Sequence, residues 1–246
     1  QRIEEQAVER EIELLNKALK QTQSQLQKVK NNVSERMGEE KAEIFQAHIM
    51  MLKDPELVPS IEEKIRDEHC NAEYAVQTII EDYIQIFENM EDEYFKARGA
   101  DIEDVGNRII RNLTGEVEEM GPNQERIIVA KEIAPSGIVQ YDQDTVLGIV
   151  TAKGSRTSHV AIMARSLGFQ TVMGVGDDLL SDLSDNDRII IDGTEGKVIL
   201  RPDSDTLDEY QEQLKEFKER DQRLAAFRDK KAQSKDDIDV EVVGNI

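Results

Sequence analysis

Residues 1–34 contain neither glycine nor proline, and within them Val8, Ile12, Leu15, Leu19, Thr22, Leu26, Val29 and Val33 recur at alternating steps of four and three. That spacing holds one apolar seam on one face of a long helix, as in a coiled coil, and such a seam must be covered by other helices. Gly38 interrupts the pattern. Ile44, Ala47, His48, Met51 and Leu52 then share a face of a second helix, which Asp54-Pro55 ends because the residue before a proline avoids the helical region. A short helix is expected to about Glu68. A long one follows over 71–98, with Ala75, Ile79, Tyr83, Ile86, Met90, Tyr94 and Ala97 in line. The last, over about 100–113, carries Ile102, Val105, Ile109 and Leu113. Residues 1–116 are therefore read as a helical subdomain whose faces suit an antiparallel bundle.

The texture changes after Gly115. Gly121-Pro122-Asn123 reads as a turn or linker. Short apolar runs at Ile127–Ala130, Val146–Val150, Thr171–Met173, Ile189–Ile191 and Val198–Leu200 read as strands, with a helix start at Ala134-Pro135-Ser136 and a helix over about 158–167 between them. This alternation predicts an α/β subdomain over 117–200. Asp192-Gly193 with Glu195-Gly196 makes a hairpin turn. Pro202 opens a charged helix to about Lys231, with Leu207, Tyr210, Leu214, Phe217 and Leu224 as a narrow stripe. It is read as a linker over 201–236, and the run from Ile238 to Ile246, within 237–246, as one strand of a further domain. The fold class is α+β and multidomain.

Composition removes several functions. The formal net charge is −21 over 246 residues, the opposite of the basic face that nucleic acid requires, so no nucleic-acid partner is expected. No apolar run approaches the roughly 18 residues of a membrane span, and direct membrane insertion is not expected. The single cysteine, Cys70, forbids an internal disulfide and fits a reducing cytoplasm. His69 and Cys70 are adjacent but have no further ligand-type residues nearby, so no metal site is expected. Gly174-Val175-Gly176 reads as a turn.

Chemistry concentrates in one place. Lys153-Gly154-Ser155-Arg156-Thr157-Ser158-His159 joins a buried-type strand to a helix that Ser158 or Thr157 can cap. Such a junction offers free backbone N–H groups and the positive end of a helix dipole, which together bind anions. Neutral imidazole is a nucleophile able to form covalent intermediates. Arg156 and Arg165 supply planar cationic forks suited to phosphate oxygens. His159, an anion-binding turn and two arginines suggest phosphoryl transfer. The same spacing is also that of an ordinary helix start with a hydrogen-bonded histidine, and the two readings stand side by side.

Residues 154–165, GSRTSHVAIMAR, resemble the phosphohistidine signature of the phosphoenolpyruvate-utilising enzymes. Residues 38–52, GEEKAEIFQAHIMML, and the segments at 90–98 and 101–106 are similar to the helical insertion found in the Enzyme I family of the bacterial sugar phosphotransferase system. Residues 240–246 are similar to that family's lead-in to its C-terminal phosphoenolpyruvate-binding barrel. The resemblance implies a helical-bundle subdomain that docks the phosphocarrier protein HPr, beside a swivelling α/β phosphohistidine subdomain. It implies that His159 is phosphorylated on Nε2 by phosphoenolpyruvate bound in an absent barrel and passes the group to a histidine of HPr. Arg156, Thr157, Ser158 and Arg165 would hold the phosphoryl group. Glu39, Glu40, His48, Met50, Met51 and Leu57 would form the docking face. The resemblance implies no cofactor in this N-terminal portion, Mg²⁺ in the absent C-terminal domain, and homodimerisation only of the full-length protein.

Departures from the family pattern are local. Ser155 stands where a second glycine is usual, Val160 where Ser, Thr or Ala is usual, and Ala152 where Asp is common. Ile138 stands where relatives carry a threonine whose hydroxyl contacts the active histidine, and isoleucine cannot make that contact. His48 is either a satisfied core histidine or part of the docking face, and the resemblance favours the face. The competing function is a helical interaction or regulatory module with a degenerate phosphohistidine site, and phosphorylation of His159 separates the two.

Overall fold

The computed structural model describes residues 2–116 and 125–226, with residues 236 and 240. The Gly121-Pro122-Asn123 turn and, Val240 apart, the strand expected over 238–246 lie outside the described residues. Two compact units emerge, one of residues 1–183 with 191–196 and one of residues 184–190 with 197–246.

In the first unit, helix α1 (Val8–Met37) runs the full length of the apolar seam and buries Val8, Ile12, Leu15, Thr22, Leu26 and Val33. Leu19 and Val29 pack partly buried against the same core. Gly38 ends α1 at a φ of 91°, a conformation open to glycine without penalty, and its N–H caps the Ser34 carbonyl. Helix α2 (Glu39–Met51) follows directly. It buries Ala42, Ile44, Phe45, His48 and Ile49, with Leu52 just beyond; Ala47, expected on this face, is only half-buried. Asp54 accepts from the N–H groups of Glu56 and Leu57 at 2.8 and 3.1 Å and so starts helix α3 (Leu57–Glu68).

The helix expected over 71–98 is two helices. Helix α4 (Ala72–Glu88) starts on the Asn71 side chain, which accepts from Tyr74 N, and ends at Asn89. The Asn89 side chain turns back to the Gln85 carbonyl at 2.8 Å, and Met90 N bonds Phe87 O at 3.2 Å, which tightens and closes the last turn. Helix α5 (Glu93–Thr114) then packs against α4. Ile86, expected in the stripe, is exposed; α4 buries Ala72, Ala75, Val76 and Ile80 instead.

Strands β1 (Arg126–Ala130), β2 (Val146–Thr151) and β3 (Gln170–Met173) form a parallel sheet in the order β1-β2-β3, with Ile149 opposite Ile128 and Thr171. Parallel neighbours need crossovers. Helix α6 (Pro135–Ile138) lies between β1 and β2, and helix α7 (His159–Ser166) between β2 and β3. A short helix α8 (Asp177–Asp182), not expected from the sequence, follows β3.

Strands β4 (Ile189–Asp192) and β5 (Lys197–Leu200) pair as a two-stranded sheet. Asp192 organises the turn by accepting from the N–H groups of Thr194 and Glu195. In the second unit, Asp203 caps helix α9 (Ser204–Ala225), two residues beyond the expected start at Pro202; residues 227–235 lie outside the described part. None of the α9 residues is buried, and Leu214, Phe217 and Leu224 of its stripe are exposed.

Candidate functional site

Strand β2 is apolar and buried apart from Leu147, which fixes it as the central strand and aims its C-terminal end at the 152–158 turn. Three bonds shape that turn. Lys153 N bonds the Lys131 carbonyl at 2.9 Å, the Thr151 hydroxyl donates to the Lys153 carbonyl at 2.6 Å, and Gly176 N bonds the Ala152 carbonyl at 3.0 Å. The exit from β3 runs close beneath, and a Cβ on Gly174 would stand 3.1 Å from the Gly154 carbonyl oxygen. Gly154 itself has a φ of 105°, in the region that disfavours side chains.

Ser158 is the N-cap of α7. Its hydroxyl accepts from Ala161 N at 3.2 Å and donates to the Ser155 carbonyl at 2.9 Å. Both uses lie inside the turn, so Ser158, expected as a phosphate ligand, has a hydroxyl already engaged in shaping the helix start. The Ser155 and Thr157 hydroxyls are 3.2 Å apart. Arg165, from the last turn of α7, reaches back to donate from Nη2 to the Arg156 carbonyl at 3.3 Å. Arg156, Thr157 and Arg165 are thus gathered at one helix start, and all three are exposed.

His159 is the first residue of α7 and is exposed; its ring has no hydrogen-bond partner among the described residues. The backbone N–H groups of Arg156, Thr157, His159 and Val160 likewise have no acceptor among the described residues, as the first turn of a helix requires. The surface therefore presents an open imidazole, two guanidinium groups, a hydroxyl and free amides, with no carboxylate in the 153–159 turn. That set suits a phosphoryl group. It does not suit Mg²⁺, which takes oxygen ligands led by carboxylates, and no group of three His, Cys, Asp or Glu is placed for a metal among the described residues. Ile138 does not open onto this surface: it is fully buried in the core.

The docking candidates divide by exposure. Glu39 and Glu40 are exposed in the first turn of α2, with the Ser34 hydroxyl donating to Glu39 Oε1 at 2.7 Å. Met50 is 64 % exposed and Met51 half-buried. Met51 and the buried Leu57 line an apolar groove of about 120 Å³ with Ile80, Tyr83, Phe87 and Val105. Burial, aided by Asp54 and Glu56, pushes the Tyr83 phenol pKa up, so its hydroxyl stays protonated. His48 corrects the expectation that it lies on the face. It is 0 % exposed, with its ring edge-on to Phe45 at 5.7 Å and its Nε2 and Nδ1 at 3.3 and 3.8 Å from carboxylate oxygens of Asp101 and Asp104. Carboxylates from α5, far along the chain, supplied a polar environment that the helix face alone did not reveal.

A helical half, a parallel sheet and a histidine starting the helix after its central strand define a class, and the family comparisons agree. Residues 1–98 match the model for the N-terminal region of PEP-utilising enzymes, and residues 122–196 match that for their mobile domain. The chain belongs to the phosphoenolpyruvate-utilising enzyme family. It is 37 % identical over 242 residues to the phosphoenolpyruvate-protein phosphotransferases of Priestia megaterium and of Listeria monocytogenes, covering 97 % of this chain and 42 % of each relative. The chain thus spans less than half the length of the curated relatives it matches. A solution NMR structure of Enzyme I is 41 % identical, with a TM-score of 0.67 over 89 % of this chain and 88 % of that one. A structure described as the N-terminal domain of Enzyme 1 - Nitrogen is 28 % identical, with a TM-score of 0.58 over 85 % of each chain.

Proposed function

We propose that this chain carries the phosphoryl-relay half of a phosphoenolpyruvate-protein phosphotransferase, with His159 as the residue that is phosphorylated. The observation that carries the reading is His159 itself, exposed at the start of α7 above a turn of unpaired amides and beside the Arg156–Arg165 pair. The likeness to Enzyme I over nearly the whole chain supports it.

Nε2 of neutral His159 attacks phosphorus on the donor. The new N–P bond forms as the enol O–P bond of phosphoenolpyruvate breaks, the electron pair leaving on the enolate oxygen of pyruvate. In the second step a neutral ring nitrogen of the HPr histidine attacks the same phosphorus, its N–P bond forms as the His159 N–P bond breaks, and the electron pair returns to Nε2. Charge spreads over the three equatorial oxygens of such a transition state, and the turn's amides with Arg156, Arg165 and the Thr157 hydroxyl are the groups positioned to stabilise it. Little covalent work is left to the protein, so rate follows from positioning.

In this reading, residues 1–116 dock HPr, residues 117–200 carry His159, and residues 201–236 lead to a phosphoenolpyruvate-binding domain that the longer relatives would supply with its Mg²⁺. Glu39, Glu40, Met50, Met51 and the groove edged by Leu57 form the docking face, with an acidic rim and an apolar centre. A cytoplasmic location belongs to the same proposal. So does dimerisation through the phosphoenolpyruvate-binding domain. No helix is long and apolar enough to cross a membrane among the described residues.

The test is incubation with phosphorylated HPr followed by intact-mass measurement. One phosphoryl group, acid-labile and alkali-stable as a phosphoramidate is, and absent from His159→Ala, is expected. An acid-stable phosphate, or one that survives His159→Ala, overturns the assignment. No phosphate on a folded wild-type chain favours the interaction module.

A further inference from the structure

Helix α6 is four residues long, too short to hold its own position, yet Pro135, Ser136 and Ile138 are buried. Its anchor comes from α5. Ser136 Oγ donates to Asp104 Oδ1 at 2.5 Å, Ser136 N donates to Asp104 Oδ2 at 3.2 Å, and Arg108 Nη2 donates to Ser136 Oγ at 2.8 Å. Ser136 is 0 %, Asp104 2 % and Arg108 8 % exposed. The Asp104 carboxylate thus takes both donors of one serine while the guanidinium covers the serine's acceptor side. Charge-assisted bonds of this kind, shielded from water, are the strong and geometrically specific ones.

The network continues on both sides. Arg108 Nη1 donates to Gln25 Oε1 at 3.3 Å, and Gln25 and Asn112 are bonded to each other, with Asn112 donating to the Thr22 hydroxyl of α1. Toward α2 it meets His48, whose Nδ1 lies 3.8 Å from Asp104. Arg98 adds a second cation, donating to Asp101 at 3.4 Å. Two carboxylates and the Arg108 guanidinium are therefore buried beside His48, while the partly exposed Arg98 closes the outer side of Asp101.

The segment after Ser136 grips the histidine helix. Helix α6 packs against α7. Gln140 Nε2 donates to the Ser136 carbonyl at 2.9 Å and keeps the segment folded on itself. Gln143 Nε2 donates to the carbonyl of Leu167, the C-cap of α7. Residues 135–143 thus form a strap fastened to α5 at one end and to the end of α7 at the other.

We propose that Asp104, Ser136 and Arg108 are positioning residues for His159: the buried clamp fixes the strap, the strap fixes α7, and α7 fixes the direction of the imidazole relative to the face that α2 presents. This deepens the phosphohistidine reading and rests on it for its chemical consequence, though not for its mechanical one. The clamp touches neither phosphate nor partner. Loss of the Ser136 hydroxyl should lower the transfer rate at saturating carrier while leaving carrier affinity alone, because Asp104 still faces His48 and the docking residues on α2 and α3 keep their places.

The experiment uses the full chain with Ser136→Ala, which removes the hydroxyl between carboxylate and guanidinium, and Asp104→Asn, which keeps shape and removes charge. Both are compared with wild type at conditions where each is folded. Amide exchange across α7, phosphoryl exchange with HPr at saturation, and the HPr dissociation constant are measured. The expected result is amide exchange in α7 about tenfold faster, with α4 unchanged, saturated phosphoryl exchange slower by a similar factor, equivalent to about 1.4 kcal/mol, and, for Ser136→Ala, which leaves the Asp104–His48 contact in place, a dissociation constant within about twofold. Unchanged α7 exchange and unchanged rate in whichever variant folds overturn the proposal and leave Ser136 as simple packing. A loss confined to carrier affinity overturns it too. Loosened α7 in the variants with no phosphorylation of wild type supports the clamp while refuting the phosphohistidine assignment, so the two claims fail separately.

Discussion

His48 and Ile138 both have no exposed surface, and each changes what its residue type implied. Ile138 is fully buried in the apolar core, so Ile138→Thr should destabilise. It removes buried methyl groups and brings a hydroxyl to a helix whose nearest carbonyl, Ala134, already accepts from Gly137 and Ile138. A loss of about 1–3 kcal/mol is expected from the urea midpoint, with no gain in phosphoryl exchange. Ser158→Ala removes the α7 cap and should cost about 1 kcal/mol by the same measurement. The cap and the turn around His159 were legible from the sequence because capping is local chemistry, settled by residues 155–161. The burial of His48 was not, because a place on the apolar stripe of α2 fits a core and a docking face alike, and only the distant Asp101 and Asp104 make a core position tolerable for an imidazole.

At the level of elements, the strands were readable to within a residue because each carries a short continuous apolar run between turn residues, clearest in the central strand β2. The break between α4 and α5 was not, because both helices bury faces in one core and the apolar rhythm runs on past the turn at 89–92. Gly106 now explains how closely the two helices approach. A Cβ there would lie 2.8 Å from both Cγ atoms of Ile80, whose β-branched side chain has little freedom in a helix. Gly106→Ala should therefore destabilise by about 1–3 kcal/mol despite alanine's better helix propensity, read as a shift in denaturant midpoint. Helix α9 yields a pH prediction. Hydrogen bonds from the Thr206 hydroxyl and N–H hold the Asp203 carboxyl below the usual carboxylate range. A lowered folded pKa means the cap's contribution is complete above the ordinary aspartate range and is lost as pH falls through the lowered value. Amide protection over 204–207, taken relative to the intrinsic exchange rate at each pH, should fall on acidification in wild type, and that fall should vanish in Asp203→Asn, which caps without titrating.

Over the whole molecule, a formal charge of −21 sets a field that any partner meets before contact. If the acidic rim of the docking face steers a basic carrier, what matters is where the charge sits rather than its total. Glu39 and Glu40 stand exposed at the start of α2, with the exposed Met50 about 15 Å along the same helix, near its end. Reversing both as Glu39→Lys with Glu40→Lys should slow HPr association about tenfold at low salt, with dissociation little changed, because rim charges act on encounter. The effect should shrink as ionic strength rises, since the screening length falls to about 3 Å at 1 M. The same charge change made as Glu212→Lys with Glu216→Lys, on exposed positions of α9, alters the molecular total equally and leaves Glu39 and Glu40 as they are. Stopped-flow association at two ionic strengths should therefore separate the pairs: a strong, salt-sensitive loss for the α2 pair and a small one for the α9 pair. Equal losses from both would mean that only the overall charge attracts the carrier and that Glu39 and Glu40 are no part of the face it docks on.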